Sequence, residues 1–132
     1  MVSEKSPKQV RVLLADDSRV FLRAAQILLS EYYEVGIAYD GQEAIDKIRA
    51  SPPDVFIVDL VLPKISGTQL IPQVKAEFPD MIIVALTAID DEETVKEVLG
   101  LGAHHYLIKG ALTGDEIYRT VERLLAKSKS SD

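Results

Sequence analysis

Five short apolar runs recur along the chain, at residues 10–15, 33–38, 55–58, 81–86 and 105–108. Three of them are almost unbroken apolar stretches rich in Val and Ile. Strands that read this way are covered on both faces, as in a parallel sheet. The run 33–38 (Tyr33-Glu34-Val35-Gly36-Ile37-Ala38) alternates more and is expected at a sheet edge. Between the runs the apolar spacing changes from two or less to three and four, which predicts helices. Val20, Ala24, Ile27 and Leu28 repeat in this way after Asp17-Ser18, a suitable N-cap. Ala44, Ile45 and Ile48 follow Asp40-Gly41 and stop before Ser51-Pro52-Pro53. Val95, Val98 and Leu99 follow the acidic run Asp90-Asp91-Glu92-Glu93, whose charge suits the positive end of a helix dipole. Ile117, Val121, Leu124 and Leu125 form the last stripe, with Lys127 and Lys129 at its end. The stretch 66–78 is less regular. Pro72 removes one helical hydrogen bond there, so this helix is expected to be kinked or to start late.

Strand followed by helix, five times over, implies right-handed crossovers and a doubly wound α/β fold around a five-stranded parallel sheet. The 132 residues suit one domain with its own core. No repeat, linker or second domain stands out; residues 1–9 and 128–132 are expected to be tails. The net charge of −6 argues against a nucleic-acid-binding surface. There is no cysteine, hence no disulfide framework and no thiolate metal site. The N-terminus is polar, and no apolar run approaches the roughly 20 residues that span a bilayer. A soluble cytoplasmic protein without membrane contact is expected.

In an open parallel sheet, ligands bind beyond the carboxyl ends of the strands. The first run ends in Asp16-Asp17, the third in Asp59, the fourth in Thr87 and the fifth in Lys109. The second ends in Tyr39-Asp40, which reads as a helix cap. Each signal alone is weak, since Asp-Asp before a helix is most often a cap. Together they bring three carboxylates, a hydroxyl and an ammonium to one rim. Crowded carboxylates repel, and Mg²⁺, which prefers oxygen ligands, would relieve that. Asp59 would then be a nucleophile toward phosphorus, with Lys109 and Thr87 offsetting charge.

The residues Leu13-Leu14-Ala15-Asp16-Asp17-Ser18, Asp59-Leu60-Val61-Leu62-Pro63 with Gly67, Leu86-Thr87-Ala88, and Gly102-Ala103-His104-His105-Tyr106-Leu107-Ile108-Lys109 closely resemble the receiver domain of bacterial two-component response regulators. The likeness spans about residues 10–127 and is of the single-domain, chemotaxis-regulator type. It implies a flavodoxin-like (βα)5 fold with strand order 2-1-3-4-5. It implies a phosphorylation-dependent signalling switch rather than an enzyme, with Asp59 as phosphoacceptor for a sensor histidine kinase or phosphotransfer protein. Asp17 and Asp59 would ligate Mg²⁺ directly, Asp16 through water, and Val61 through its backbone carbonyl. Lys109 would pair with phosphoryl oxygens, assisted by Thr87 and the backbone N–H of Ala88. Thr87 and Tyr106 would move together and alter the face built by the fourth helix, fifth strand and fifth helix, which controls an unidentified partner protein. The chain would be a monomer or a phosphorylation-dependent dimer.

Three features depart from the family pattern. Gly110 follows Lys109 where proline is common. His104-His105 stand where a dimerising subgroup carries acids. Val61 and Ile89 are apolar at positions that tune the lifetime of the phosphorylated state, which predicts slow self-hydrolysis. The alternatives are the receiver portion of a longer regulator or hybrid kinase, and an Mg²⁺-dependent phosphatase working through an aspartyl-phosphate. The phosphatase needs a second carboxylate two residues after the nucleophile, where Val61 stands.

Overall fold

The computed structural model describes residues 9–110 and 114–130; most of the expected tail 1–9, and residues 131–132 of the tail 128–132, lie outside the described residues. Strands β1 (Arg11–Ala15), β2 (Glu34–Ala38), β3 (Val55–Val58), β4 (Ile82–Thr87) and β5 (His105–Ile108) alternate with helices α1 (Arg19–Leu29), α2 (Gly41–Ala50), α3 (Gly67–Glu77), α4 (Glu92–Leu101) and α5 (Gly114–Ser130). All strand pairs are parallel, in the order β2-β1-β3-β4-β5. The expected fold and strand order are borne out, and the run at 33–38 does form an edge.

Successive strand residues point to opposite faces, so each strand feeds two cores. Leu13, Phe56, Val58, Ile83 and Ala85 pack with Ala44, Ile45, Leu70, Ile71 and Val98 from α2, α3 and α4. Val12, Leu14, Val55, Ile57 and Val84 pack with Leu22, Ala25 and Leu29 of α1 and Ile117 and Val121 of α5. Two helices therefore cover one face and three cover the other. No helix among the described residues is long and apolar enough to cross a membrane.

Two helices differ from expectation. In α1 the stripe Val20, Ala24, Ile27, Leu28 is the outer one: Val20, Ile27 and Leu28 are 82%, 64% and 53% exposed. The buried residues are Leu22, Ala25 and Leu29. The helix carries apolar residues on most of its circumference, so two stripes satisfy the same spacing, and only the position of the sheet chooses between them. In α3, Pro72 does not delay the start. The helix begins at Gly67 because Ser66 and Gln69 form a capping box, the Ser66 hydroxyl accepting from the Gln69 N–H and the Gln69 side chain from the Ser66 N–H, both at 3.2 Å. Two satisfied donors at the start, and Leu70, Ile71 and Val74 buried along one face, outweigh the single bond that Pro72 removes.

Two outward carbonyls of the β2 edge are covered by side chains. Glu34 N–H donates to Val10 O, and Ala38 O accepts from Asp16 N–H, so alternate residues of β2 face β1. Val35 and Ile37 consequently direct their carbonyls outward. Gln26 Nε2 donates to Val35 O at 3.1 Å from one side, and Lys47 Nζ donates to Ile37 O at 2.7 Å from the other.

Candidate functional site

The parallel register aligns the carboxyl ends of the central strands. Ala15 lies opposite Val58, Val58 opposite Ala85, and Thr87 opposite Ile108. The next residue of each strand is therefore held at a common rim. Asp16 N–H donates to Ala38 O at 3.1 Å, Asp59 N–H to Ala15 O at 2.9 Å, and Lys109 N–H to Thr87 O at 2.9 Å. Backbone pairing thus fixes three chemically active residues just past the sheet.

Asp16 and Asp59 are buried, at 2% and 7% exposure, whereas Asp17 is exposed. One carboxylate oxygen from each of the three lies within 4.8 Å of the others. The Lys109 ammonium bridges the two buried acids. It pairs with Asp16 Oδ2 and lies 3.0 Å from Asp59 Oδ2. Backbone donors hold the other oxygens: Ser18 N–H meets Asp16 Oδ1 at 2.9 Å, and Val61 N–H meets Asp59 Oδ1 at 3.2 Å. Burial pushes the Asp16 carboxyl above its ordinary range, against the opposing pull of Lys109 and the Ser18 N–H. Burial works to lower the lysine, but its hydrogen bonds to Asp16 and Asp59 outweigh that and hold it above the usual range.

The donor set fits a hard dication. It offers oxygen alone, as Mg²⁺ prefers. Ligands about 2.1 Å from an octahedral ion lie within about 4.2 Å of one another. Adjacent ligands on such an ion are about 3.0 Å apart, so the three oxygens, within 4.8 Å of one another, would draw in around it or reach it through a bound water.

Thr87 is buried at the end of β4, and its Oγ1 accepts from Ile89 N–H at 3.5 Å. Tyr106 is half-buried and its O–H donates to Ile89 O at 2.7 Å. The two side chains expected to move together are therefore tied to one residue, from its two ends. Ala88 between them is exposed, and so is Val61.

The β3–α3 loop is pressed against the site. Gly67 is buried, and a Cβ there would collide with Asp59 O and lie 2.8 Å from Leu60 Cα. Gly67 N–H also donates to Leu60 O at 2.9 Å. The absence of a side chain is what lets α3 start against the backbone of Asp59. Within the loop, Lys64 has φ 70, and Ile65 N–H reaches back to Pro63 O at 2.8 Å, a γ-turn that strains the backbone locally.

Sequence reasoning placed Asp16, Asp17, Asp59, Thr87 and Lys109 at one rim, and the structure brings all five there. It missed Phe21. That ring, in the first turn of α1, lies 4.5 Å from Lys109 Nζ. Phe21 follows Asp17 by four residues, one helical turn past the cap, which is the only hint the sequence holds. His104, named among the departures, has a structural bond: its Nδ1 accepts Ile83 N–H at 3.0 Å.

Residues 12–122 match the family described as the response regulator receiver domain. The chain belongs to that family. It is 32% identical over 124 residues to response regulator MprA of Mycobacterium bovis, covering 93% of this chain and 54% of that protein. It is 33% identical over 121 residues to hybrid signal transduction histidine kinase D of Dictyostelium discoideum, covering 90% of this chain and 8% of the kinase. Among solved structures, a receiver domain protein of Clostridium thermocellum shares the fold at TM-score 0.84 and 24% identity, over 94% of this chain and all of that one. A CheY-like receiver from Methanospirillum hungatei JF-1 gives TM-score 0.84 at 27% identity, over 92% and 98%. The chain spans about half the length of MprA and under a tenth of the kinase.

Proposed function

We propose that Asp59 accepts a phosphoryl group from the phosphohistidine of a sensor histidine kinase or phosphotransfer protein. The observation that carries this reading is the carboxylate of Asp59, 7% exposed at the end of β3, with Lys109 Nζ 3.0 Å from one of its oxygens and Asp16 and Asp17 beside it. An Asp59 oxygen attacks phosphorus, the P–N bond breaks, and the imidazole leaves and takes a proton from water. Lys109 is already within reach of the oxygens of a group carried on Asp59, and its charge acts there with little water to screen it. Asp17 and Asp59 would hold Mg²⁺ directly, Asp16 through water and Val61 through its carbonyl, and the ion would supply charge neutralisation at the phosphoryl oxygens.

The switch runs through Ile89. When Thr87 turns to donate to the phosphoryl group, assisted by the Ala88 N–H, it ceases to accept from Ile89 N–H. The carbonyl of Ile89 holds Tyr106, so the ring moves with it. The surface built from α4, β5 and α5 is altered in consequence and recognises a partner protein. In this reading the protein works in the cytoplasm, as a monomer or as a dimer formed on phosphorylation, without contacting nucleic acid itself.

The test uses the intact chain with Mg²⁺ and a small phosphodonor such as acetyl phosphate, read by intact mass. One phosphoryl group is expected, absent in Asp59→Asn. No adduct on the wild type, or one that survives Asp59→Asn, overturns the reading. A second reading, that this is the receiver portion of a longer regulator or hybrid kinase, is favoured by its spanning 54% of MprA and 8% of the hybrid kinase. The phosphatase reading has no such support, since Val61 stands where its general acid belongs.

A further inference from the structure

Lys109 directly follows β5, at the rim of the sheet. Gly110 follows, exposed, and a Cβ there would meet nothing within 4 Å. A lysine side chain has four rotatable methylenes and large rotamer entropy, and this one remains 20% exposed. Two carboxylates attract its ammonium from one direction. The face of Phe21 also lies against it, 4.5 Å from Nζ. Phe21 is half-buried and lines the same narrow space as Asp16, Asp59, Leu22 and Leu86. It is placed there by helix geometry, because the Ser18 hydroxyl caps α1 by accepting Phe21 N–H at 3.2 Å.

We infer that Phe21 is a positioning residue for the phosphoryl-transfer step, holding the Lys109 ammonium against the acid pocket through a cation–π contact. The inference rests on Asp59 being the phosphoacceptor. The ring's negative face attracts the cation electrostatically, and the ring occupies the side from which water would hydrate it. The ammonium is thereby kept where an arriving phosphoryl group needs positive charge, and less ordering of the long side chain remains to be done during transfer. Asp16 and Asp59 alone are less suited to this, because a dication bound at the carboxylates competes with Lys109 for their oxygens. Phe21 is indifferent to the metal and remains in place when the carboxylates are engaged elsewhere.

The experiment separates electrostatics from shape. Phenylalanines bearing one, two and three fluorines are placed at position 21 of the full chain; fluorine drains the ring face while leaving size almost unchanged. Phosphorylation of Asp59 by acetyl phosphate with Mg²⁺ is timed by intact mass. The rate is expected to fall stepwise, by about five-fold at three fluorines, equivalent to about 1 kcal/mol. Phe21→Leu is expected to lose a similar factor, and Phe21→Tyr to keep the wild-type rate. A second readout needs no phosphate: in a spectrum of lysine-labelled protein, the ε-methylene protons of Lys109 lie upfield of the other lysines, and return among them in Phe21→Leu. A rate flat across the fluorine series, or Lys109 protons with no ring shift, overturns the inference while leaving the phosphoacceptor in place. A wild-type chain that takes no phosphoryl group overturns both.

Discussion

Replacing Lys109 by Met removes the one cation that bridges Asp16 and Asp59 and keeps nearly the same volume against Phe21. What remains is two carboxylates, 2% and 7% exposed, with no other ion-pair partner among the described residues. Removing one partner of a buried ion pair costs about 3–5 kcal/mol, since the survivor stays desolvated. The lysine side chain is 20% exposed, so water reaches the vacated space and part of that loss is recovered. A loss of about 2–3 kcal/mol at pH 7 is expected. Urea unfolding followed by far-ultraviolet circular dichroism measures it; the chain has no tryptophan to report instead. The pH dependence supplies a further check. Burial raises the Asp16 carboxyl above its unfolded value even with Lys109 present. Without the lysine, Asp16 loses the hydrogen bond and the charge that oppose this, and rises further. A group raised on folding contributes most below its unfolded pKa and loses that contribution as pH rises through the folded one. The gap between variant and wild type should therefore shrink as pH falls from 7 toward about 4. Mg²⁺ should stabilise Lys109→Met more than wild type, because the wild-type lysine competes for the same oxygens. A gap below about 1 kcal/mol at pH 7, or one unchanged between pH 7 and 4, would refute the reasoning.

Three other outcomes follow from separate parts of the molecule. Gly67→Ala forces a methyl group onto the backbone of Asp59 and Leu60, which cannot turn aside, and despite alanine's better helix propensity it should destabilise by about 1–2 kcal/mol in urea; an unchanged midpoint would count against the close approach. His104 is held below the ordinary imidazole range by the partial desolvation of its ring, with Lys75 and Lys127 adding to this and the Ile83 N–H opposing it, while Asp80 lines the same hollow. The unfolded chain therefore binds the proton more readily, and stability present above about pH 6.5 should fall as pH drops below it. His104→Asn, which can still accept from Ile83 N–H, should flatten that slope in thermal melts; an identical slope sinks the assignment. Polar substitutions at Val61 and Ile89, which could orient an attacking water, should shorten the phosphoryl half-life severalfold, and a half-life unchanged or lengthened would remove these positions as its determinants.

Much of the fold was legible because buried parallel strands have no solvent face. Val55–Val58 and residues 82–86 are buried throughout, and these runs are apolar throughout. The rim was legible for a related reason. A polar residue directly after such a run has left the sheet, as Asp59 does after Val58. What stayed hidden depended on contacts between elements distant in sequence. Val20, Ile27 and Leu28 repeat as well as any core stripe, and nothing local shows that the sheet lies on the other side. The effect of Pro72 turned on a competition between one lost bond and the Ser66–Gln69 cap together with a buried face. Phe21 looked like one more core residue, because its distance from Lys109 spans most of the chain.

The two side chains that meet the outer carbonyls of β2 bear on how this protein behaves in a crowd. An open sheet is a template, and its last strand can recruit a strand from another molecule, then another, until a filament grows. Gln26 and Lys47 occupy the acceptors of Val35 and Ile37 that a newcomer would need. They come from α1 and α2, on either side of β2 in the chain, so both acceptors are covered once the first two strand–helix units have assembled. Protection from polymerising at this edge is thereby built into the same local contacts that seat the strand.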